Sequence, residues 1–137
     1  MRKLVILLAT CLGVLAACNK TPEPVNIVGE WQLSGYKTKA ITIGSEKVDV
    51  YVKFTSDNAF EMYQMLGNGR YRKFTGTYSL SADNLLTGKY SGGSAWAASY
   101  DVSLEGSKLM LTQHPDASEV HTFSSTAIPE SVKENTY

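Results

Sequence analysis

The densest group of residues able to bind a metal ion or move a proton lies at positions 114–121. This stretch holds both histidines of the chain, His114 and His121, together with the carboxylates of Asp116 and Glu119. Imidazole and carboxylate groups are common zinc ligands, and Glu119 and His121 share one side of a strand because side chains alternate along it. A proline turn, however, separates His114 from that side. We therefore favour a solvated hairpin loop over a metal site, and predict neither a metal nor a cofactor.

Catalytic motifs are missing from the sequence, which contains no nucleophile elbow, P-loop, dinucleotide fingerprint or paired-cysteine motif. Ser99 and Ser103 fall on the side of their predicted strand opposite to its apolar residues. We therefore predict a protein that is not an enzyme and has no catalytic residue. The 13 basic and 13 acidic side chains give a formal net charge of zero. This balance argues against nucleic acid as a partner, because its phosphates are bound by clustered Lys and Arg.

Two polar side chains, Arg72 and Gln64, fall within a set of inward-pointing apolar residues if the even-numbered positions of the second to fourth predicted strands face inward. The apolar members of this set are Val50, Val52, Phe60, Met62, Phe74, Tyr78, Trp96 and Tyr100. Small-molecule pockets combine apolar walls with a few polar anchors, and a planar guanidinium can bind a carboxylate through two hydrogen bonds. These residues therefore predict a site for a small hydrophobic or amphipathic ligand. The alternative is that Arg72 extends to water while the aromatic side chains fill a closed core.

A second candidate site lies on the opposite side of the same strands. Tyr51, Tyr63 and Met65 occupy the outward positions of adjacent predicted strands. A cross-strand pair of exposed tyrosines can bind a protein partner or a sugar ring. The alternative function is therefore that of a non-enzymatic adaptor that binds protein or glycan through the outer surface or its loops.

The N-terminal segment has the pattern of a secretory signal. Arg2 and Lys3 precede an apolar run over residues 4–14, which is too short for a membrane-spanning helix. The run ends in Leu-Ala-Ala-Cys, which resembles the lipobox of bacterial lipoproteins and implies that Cys18 carries a diacylglyceryl group and an N-acyl chain such as palmitate. We therefore predict a signal peptide over 1–17 and attachment to a membrane of the cell envelope, most consistent with the outer membrane, on its periplasmic or surface side. The only other cysteine, Cys11, leaves with the signal peptide, so we predict no disulfide.

The rest of the chain predicts a tether followed by an all-β domain. Two prolines within residues 18–26 favour an extended tether. From Ile27 onward, apolar and polar residues alternate, most regularly over 47–54, and short turns separate the alternating segments. The predicted strands are 27–36, 47–54, 60–66, 72–80, 85–90, 96–104, 109–113 and 119–124.

Short links between these strands favour antiparallel neighbours, and eight such strands can close into an up-and-down barrel without exposed edges. The alternative is a two-sheet β-sandwich. We place the domain over residues 27–125 and expect a monomer. Residues 126–137 form a tail, in which Pro129 and Glu130 are suited to the start of a short helix.

Three short motifs resemble those of bacterial lipocalin-like lipoproteins, particularly the small ones of Bacteroidota. The first is Gly29-Glu30-Trp31, which is similar to the G-x-W signature of lipocalins, and the others are the segments 54–60 and 76–78. The resemblance covers residues 27–125 and implies a lipocalin-like barrel. It also implies that Gly29 lets the chain bend across the barrel floor while Trp31 closes that floor. The T-D-Y motif of lipocalins and their C-terminal arginine are not visible in this sequence.

Overall fold

The computed structural model describes residues 23–38, 42–44 and 49–137. The predicted signal peptide, Cys18 and the first residues of the predicted tether lie outside these ranges, as do Lys47 and Val48 of the second predicted strand. Within the described ranges the chain forms nine strands and one helix, namely β1 (Gly29–Thr38), β2 (Thr42–Gly44), β3 (Val50–Phe54), β4 (Ala59–Met65), β5 (Tyr71–Leu80), β6 (Leu85–Tyr90), β7 (Ser99–Glu105), β8 (Lys108–His114), β9 (Glu119–Ser125) and α1 (Glu130–Glu134). No helix in these ranges has the length and apolar character needed to cross a membrane.

Antiparallel pairing between consecutive strands closes the sheet into a barrel. Each strand from β3 to β8 pairs with the next strand along the chain, and β1 pairs with β3. The last strand, β9, closes the barrel by pairing with β1, from Trp31–Ser125 to Thr38–Glu119. The predicted eight-stranded up-and-down barrel is therefore confirmed, and the sandwich alternative is wrong. The short strand β2 was not predicted, and it pairs with Gly35–Lys37 in the second half of β1.

Local turn chemistry explains why the strands reverse where they do. Asn58 and Asn84 end the turns before β4 and β6 with φ of 63° and 61°. Asparagine tolerates this left-handed conformation better than most residues. In the first of these turns, the Thr55 backbone N–H donates to the Ala59 carbonyl oxygen at 2.9 Å. The predicted turn residues thus fix the antiparallel order of the strands.

The interior of the barrel is closed at the end where β1 begins, which we call the floor. Gly29 has a φ of 148°, a conformation that side-chain-bearing L-residues rarely adopt. The indole N–H of Trp31, which is buried, donates to the Ile27 carbonyl oxygen at 2.9 Å. The backbone N–H of Val25 donates to the Asn84 side chain at 2.8 Å, which ties the incoming chain to the same end. The opposite end, where the β4–β5, β6–β7 and β8–β9 connections lie, is called the mouth.

A second apolar cluster lies on the outside of the barrel, under the C-terminal segment. Tyr51 and Tyr63 are only 7% and 2% exposed, because Ile128 and Val132 of the C-terminal segment pack against them and Tyr71. The predicted exposed tyrosine platform is therefore wrong. Alternation along β3 and β4 placed these side chains outward, but it could not show that the tail covers them.

Hydrogen bonds hold the C-terminal segment along the outside of the barrel from the floor to the mouth. The Thr126 N–H donates to the Glu30 carbonyl oxygen at 3.1 Å near the floor. At the mouth end, the Tyr71 N–H donates to the Asn135 carbonyl oxygen at 2.9 Å. The Asn135 side chain in turn donates to the Gly69 carbonyl oxygen at 2.9 Å. The tail is thus a strap across β3, β4 and β5, and α1 is its helical part.

Candidate functional site

The barrel contains a cavity of about 190 Å³ in its interior. Five of the residues predicted to form the ligand site line it, namely Val52, Phe60, Met62, Trp96 and Tyr100. Alternation along β4 points Phe60 and Met62 inward, and Met62 is paired with Phe74 on β5. The remaining described lining residues are Phe54, Tyr90, Ala97, Leu111, His121 and Phe123.

Trp96 fills a gap in the cavity wall between β6 and β7. These two strands pair only at Leu85–Asp101 and Leu86–Tyr100. The connection between them folds back, so that the Trp96 backbone N–H donates to the Gly88 carbonyl oxygen at 2.9 Å. A Cβ atom on Gly88 would lie 2.3 Å from the indole ring, far inside normal contact distance. A glycine at position 88 is therefore what allows the indole to close the wall.

Aromatic rings meet edge-to-face around the cavity. The Trp96 ring is 5.1 Å from Phe60 and 6.5 Å from Tyr100, and the Phe60 ring is 6.0 Å from Tyr90. The Tyr100 ring is in turn 5.6 Å from the His121 imidazole. Aromatic pairs favour this geometry at centroid separations of about 4.5–7 Å. The wall is thus a connected set of rings with defined orientations.

The cavity wall contains one imidazole among its described residues, that of His121. Burial lowers the pKa of its imidazole, while a 3.5 Å contact between its Nε2 and Glu119 Oε2 acts in the opposite direction. The imidazole is therefore neutral at pH 7. The Glu119 carboxylate also accepts a hydrogen bond from Tyr36, and burial together with Glu119 raises the pKa of that phenol. Burial also raises the pKa of Tyr100, so its hydroxyl keeps its proton at neutral pH.

A model of the lipocalin-like domain family matches residues 27–111, which cover most of the barrel. The chain belongs to the lipocalin-like domain family. The resemblance seen in the short sequence motifs is thereby confirmed at the level of the domain.

Two solved structures from Bacteroides are similar to this lipocalin-like barrel. A lipocalin-like protein from Bacteroides uniformis ATCC 8492 is 24% identical with a TM-score of 0.56, over 72% of this chain and 97% of its own. An uncharacterized protein from Bacteroides eggerthii DSM 20697 is 19% identical with a TM-score of 0.55, over 74% of this chain and all of its own. At these identities the likeness shows the fold alone. No curated protein matches the chain.

The other predicted ligand-binding residues of the lipocalin-like barrel lie outside the cavity lining. Phe74 and Tyr78 belong to the interior apolar cluster, where the Tyr78 hydroxyl donates to the Thr55 carbonyl oxygen at 2.7 Å toward the floor. Arg72 and Gln64 are exposed. The Arg72 guanidinium lies 5.0 Å from the centroid of the Phe74 ring.

The placement of Arg72 and Gln64 in the cavity lining is therefore corrected. Gln64 pairs with Arg72, two residues along each strand from the inward-pointing Met62–Phe74 pair. Both residues therefore belong to the inward-pointing series. They stand at the ends of β4 and β5, where the barrel opens to solvent. Their position along the strand, rather than their side of it, keeps them out of the cavity.

The two histidines lie on opposite sides of the barrel wall. His114 is exposed and its Nδ1 lies 3.0 Å from Asp101 Oδ2, whereas His121 lines the cavity. In the described part of the chain, no three His, Cys, Asp or Glu residues come close enough together to hold a metal ion. The predicted group at positions 114–121 is therefore divided between two surfaces. Sequence reasoning missed His121 as a lining residue, although its pairing with Leu111 and its alternation with Phe123 place it inward.

Proposed function

We propose that this chain is a lipid-anchored protein of the cell envelope whose lipocalin-like barrel binds a small hydrophobic or amphipathic molecule. The observation that carries this proposal is the interior cavity, because its described lining combines an apolar aromatic wall with a single imidazole. Binding sites for small molecules have this composition of apolar walls and few polar groups. The floor, by contrast, is filled by Trp31 and its neighbours in the core.

The proposed anchor is the lipid on Cys18, and the floor geometry supports a definite orientation for it. The described chain enters the barrel at the floor, where Val25 is bonded to Asn84. An anchor that precedes this point in the chain places the floor on the membrane side. The mouth then faces away from the bilayer, toward the aqueous phase. We propose the outer membrane as the location, with the barrel on its periplasmic or surface side.

We propose a binding role rather than a catalytic one. The family fold is typical of binding proteins. The adaptor alternative that uses Tyr51 and Tyr63 requires both side chains to be exposed, whereas the strap covers them.

Two experiments test the two parts of this proposal. Cell fractionation of the wild type and of Cys18→Ser tests the anchor, and we expect the wild type in the membrane fraction and the variant released from it. Native mass spectrometry of the protein purified from its own cells tests ligand binding, and we expect a bound small molecule. A Cys18→Ser variant that stays in the membrane fraction would contradict the anchor. An empty barrel that also fails to bind apolar probes would contradict the binding role.

A further inference from the structure

The volume of the cavity limits the size of its ligand. The cavity measures about 190 Å³. An apolar protein cavity of about 150 Å³ holds one benzene molecule, whereas drug-sized ligands occupy sites of about 300–1,000 Å³. The cavity therefore suits a molecule of one or two rings. The acyl chain of a membrane lipid is too large for it.

The wall favours an aromatic ligand over a flexible aliphatic one. Phe60, Tyr90, Trp96 and Tyr100 present ring edges and faces at centroid distances of 5.1 to 6.5 Å from one another. A flat ring placed among them continues the edge-to-face pattern and adds to apolar burial. A rigid ring also loses less conformational entropy on binding than a flexible chain.

The charges around the cavity select against an anion. Among the described residues that line it, none is a lysine or an arginine. The carboxylate of Glu119 lies beside His121, at 3.5 Å from its Nε2. A bound carboxylate would therefore lose its hydration without gaining a cationic partner, and would be repelled by Glu119.

His121 offers one hydrogen-bonding group of defined type. Glu119 favours the tautomer that carries the proton on Nε2, which leaves Nδ1 as an acceptor. Tyr36 packs edge-on against the imidazole at a centroid distance of 4.8 Å, and Tyr100 lies tilted against it at 5.6 Å, so the ring is held between two neighbours. A fixed acceptor in an apolar wall is best satisfied by a ligand that donates a hydrogen bond.

We propose that the cavity binds a neutral aromatic molecule of one or two rings whose N–H or O–H group donates a hydrogen bond to His121. This inference rests on the proposed function and names its ligand class. Such a molecule is soluble enough to reach the mouth through water, which agrees with a mouth that faces away from the membrane.

Isothermal titration calorimetry on the purified full-length protein tests this proposal with four probes. Indole has the right size and an N–H donor, and indene has the same ring system without the donor. The anion 2-naphthoate and the cation phenyltrimethylammonium test the charge selectivity. The test variant is His121→Leu, and His114→Leu is the matched control because that histidine lies outside the cavity. His121→Gln keeps a hydrogen-bond acceptor, and a thermal melt shows whether each variant is folded.

We expect indole to bind the wild type about tenfold more tightly than indene, which corresponds to one hydrogen bond in an apolar site. This preference should vanish in His121→Leu and persist in His114→Leu. If His121→Leu does not fold, partial retention of the preference in His121→Gln still supports the hydrogen bond.

Three results would overturn the proposal in different ways. Equal binding of indole and indene to the wild type would remove the role of His121. Binding of naphthoate or of phenyltrimethylammonium in place of indole would show that the cavity recognises a charged ligand, and the proposed binding function would stand with another ligand class. Binding of none of the probes, together with an empty barrel in native mass spectrometry, would remove the proposed binding function as well.

Discussion

The contact between Gly88 and Trp96 gives the sharpest prediction about the cavity wall. Replacing Gly88 with alanine adds a Cβ atom 2.3 to 2.6 Å from three atoms of the indole ring. Carbon atoms in contact are normally about 3.5–4.0 Å apart, so the ring must move by about 1 Å or more. The backbone of β6 lies behind Gly88, so the ring moves toward the cavity. We expect Gly88→Ala to reduce both stability and ligand binding.

The size of the effect follows from known costs of overpacking. Adding a methyl group to a packed interior costs about 1–3 kcal/mol, and each kcal/mol lowers the melting temperature of a domain of this size by about 3–5 °C. We therefore expect Gly88→Ala to melt about 3–15 °C below the wild type in a thermal denaturation followed by circular dichroism. Gly92→Ala is the matched control, because a Cβ atom at Gly92 meets nothing within 4 Å. We expect its melting temperature to stay close to that of the wild type.

A double-mutant cycle identifies the indole as the cause. In a Trp96→Ala background the ring is absent, so Gly88→Ala should cost less than about 0.5 kcal/mol there. Two results would refute the reasoning that Trp96 closes the wall by packing on Gly88. One is that Gly88→Ala destabilises the Trp96→Ala protein as much as it destabilises the wild type. The other is that Gly88→Ala is as stable as Gly92→Ala.

Three further predictions concern the strap, the imidazole and the floor. Val132→Ala should lower the free energy of unfolding by about 1–2.5 kcal/mol in urea titrations, because Val132 is buried against the outer tyrosines, whereas Ser131→Ala should have little effect. NMR titration should place the pKa of His121 below its usual value. A lowered pKa means that the folded protein binds fewer protons than the unfolded chain at pH values near 6.5. The stability contributed by neutral His121 is therefore present above about pH 6.5 and is lost as the pH falls below that value. An unshifted pKa would contradict the burial of the imidazole. Trp31→Phe should destabilise the barrel by about 1–3 kcal/mol in the same urea assay, because it leaves the buried Ile27 carbonyl oxygen without its hydrogen-bond donor. An unchanged urea midpoint would contradict this role of the Trp31 indole.

The barrel itself could be predicted from the sequence because its determinants are local. Alternation over β3 and β4 fixes which side chains face inward, and Asn58 and Asn84 mark where the chain turns. The three residues of β2 were too few to show a pattern. Its pairing with Gly35–Lys37 depends on β1 extending beyond its pairing with β3.

The parts that sequence reasoning missed depend on contacts between distant segments. The alternation of β3 gives the side of Tyr51, but its burial depends on Val132, which lies far along the chain. Arg72 was assigned to the correct series and still stands outside the cavity, because position along the barrel axis is set by the stagger of the strands. His121 was considered only as a metal ligand, since its neighbours in space, Leu111 and Tyr36, are apparent only from the strand pairing.

Binding in the interior cavity is tested most directly by following His121 and Trp96 in one NMR titration of the full-length protein with indole. The proposal predicts that the His121 imidazole and the Trp96 indole N–H signals shift saturably with a single dissociation constant, while the exposed His114 signal stays in place. If neither cavity residue responds, or if His114 shifts together with them, indole does not bind in the cavity.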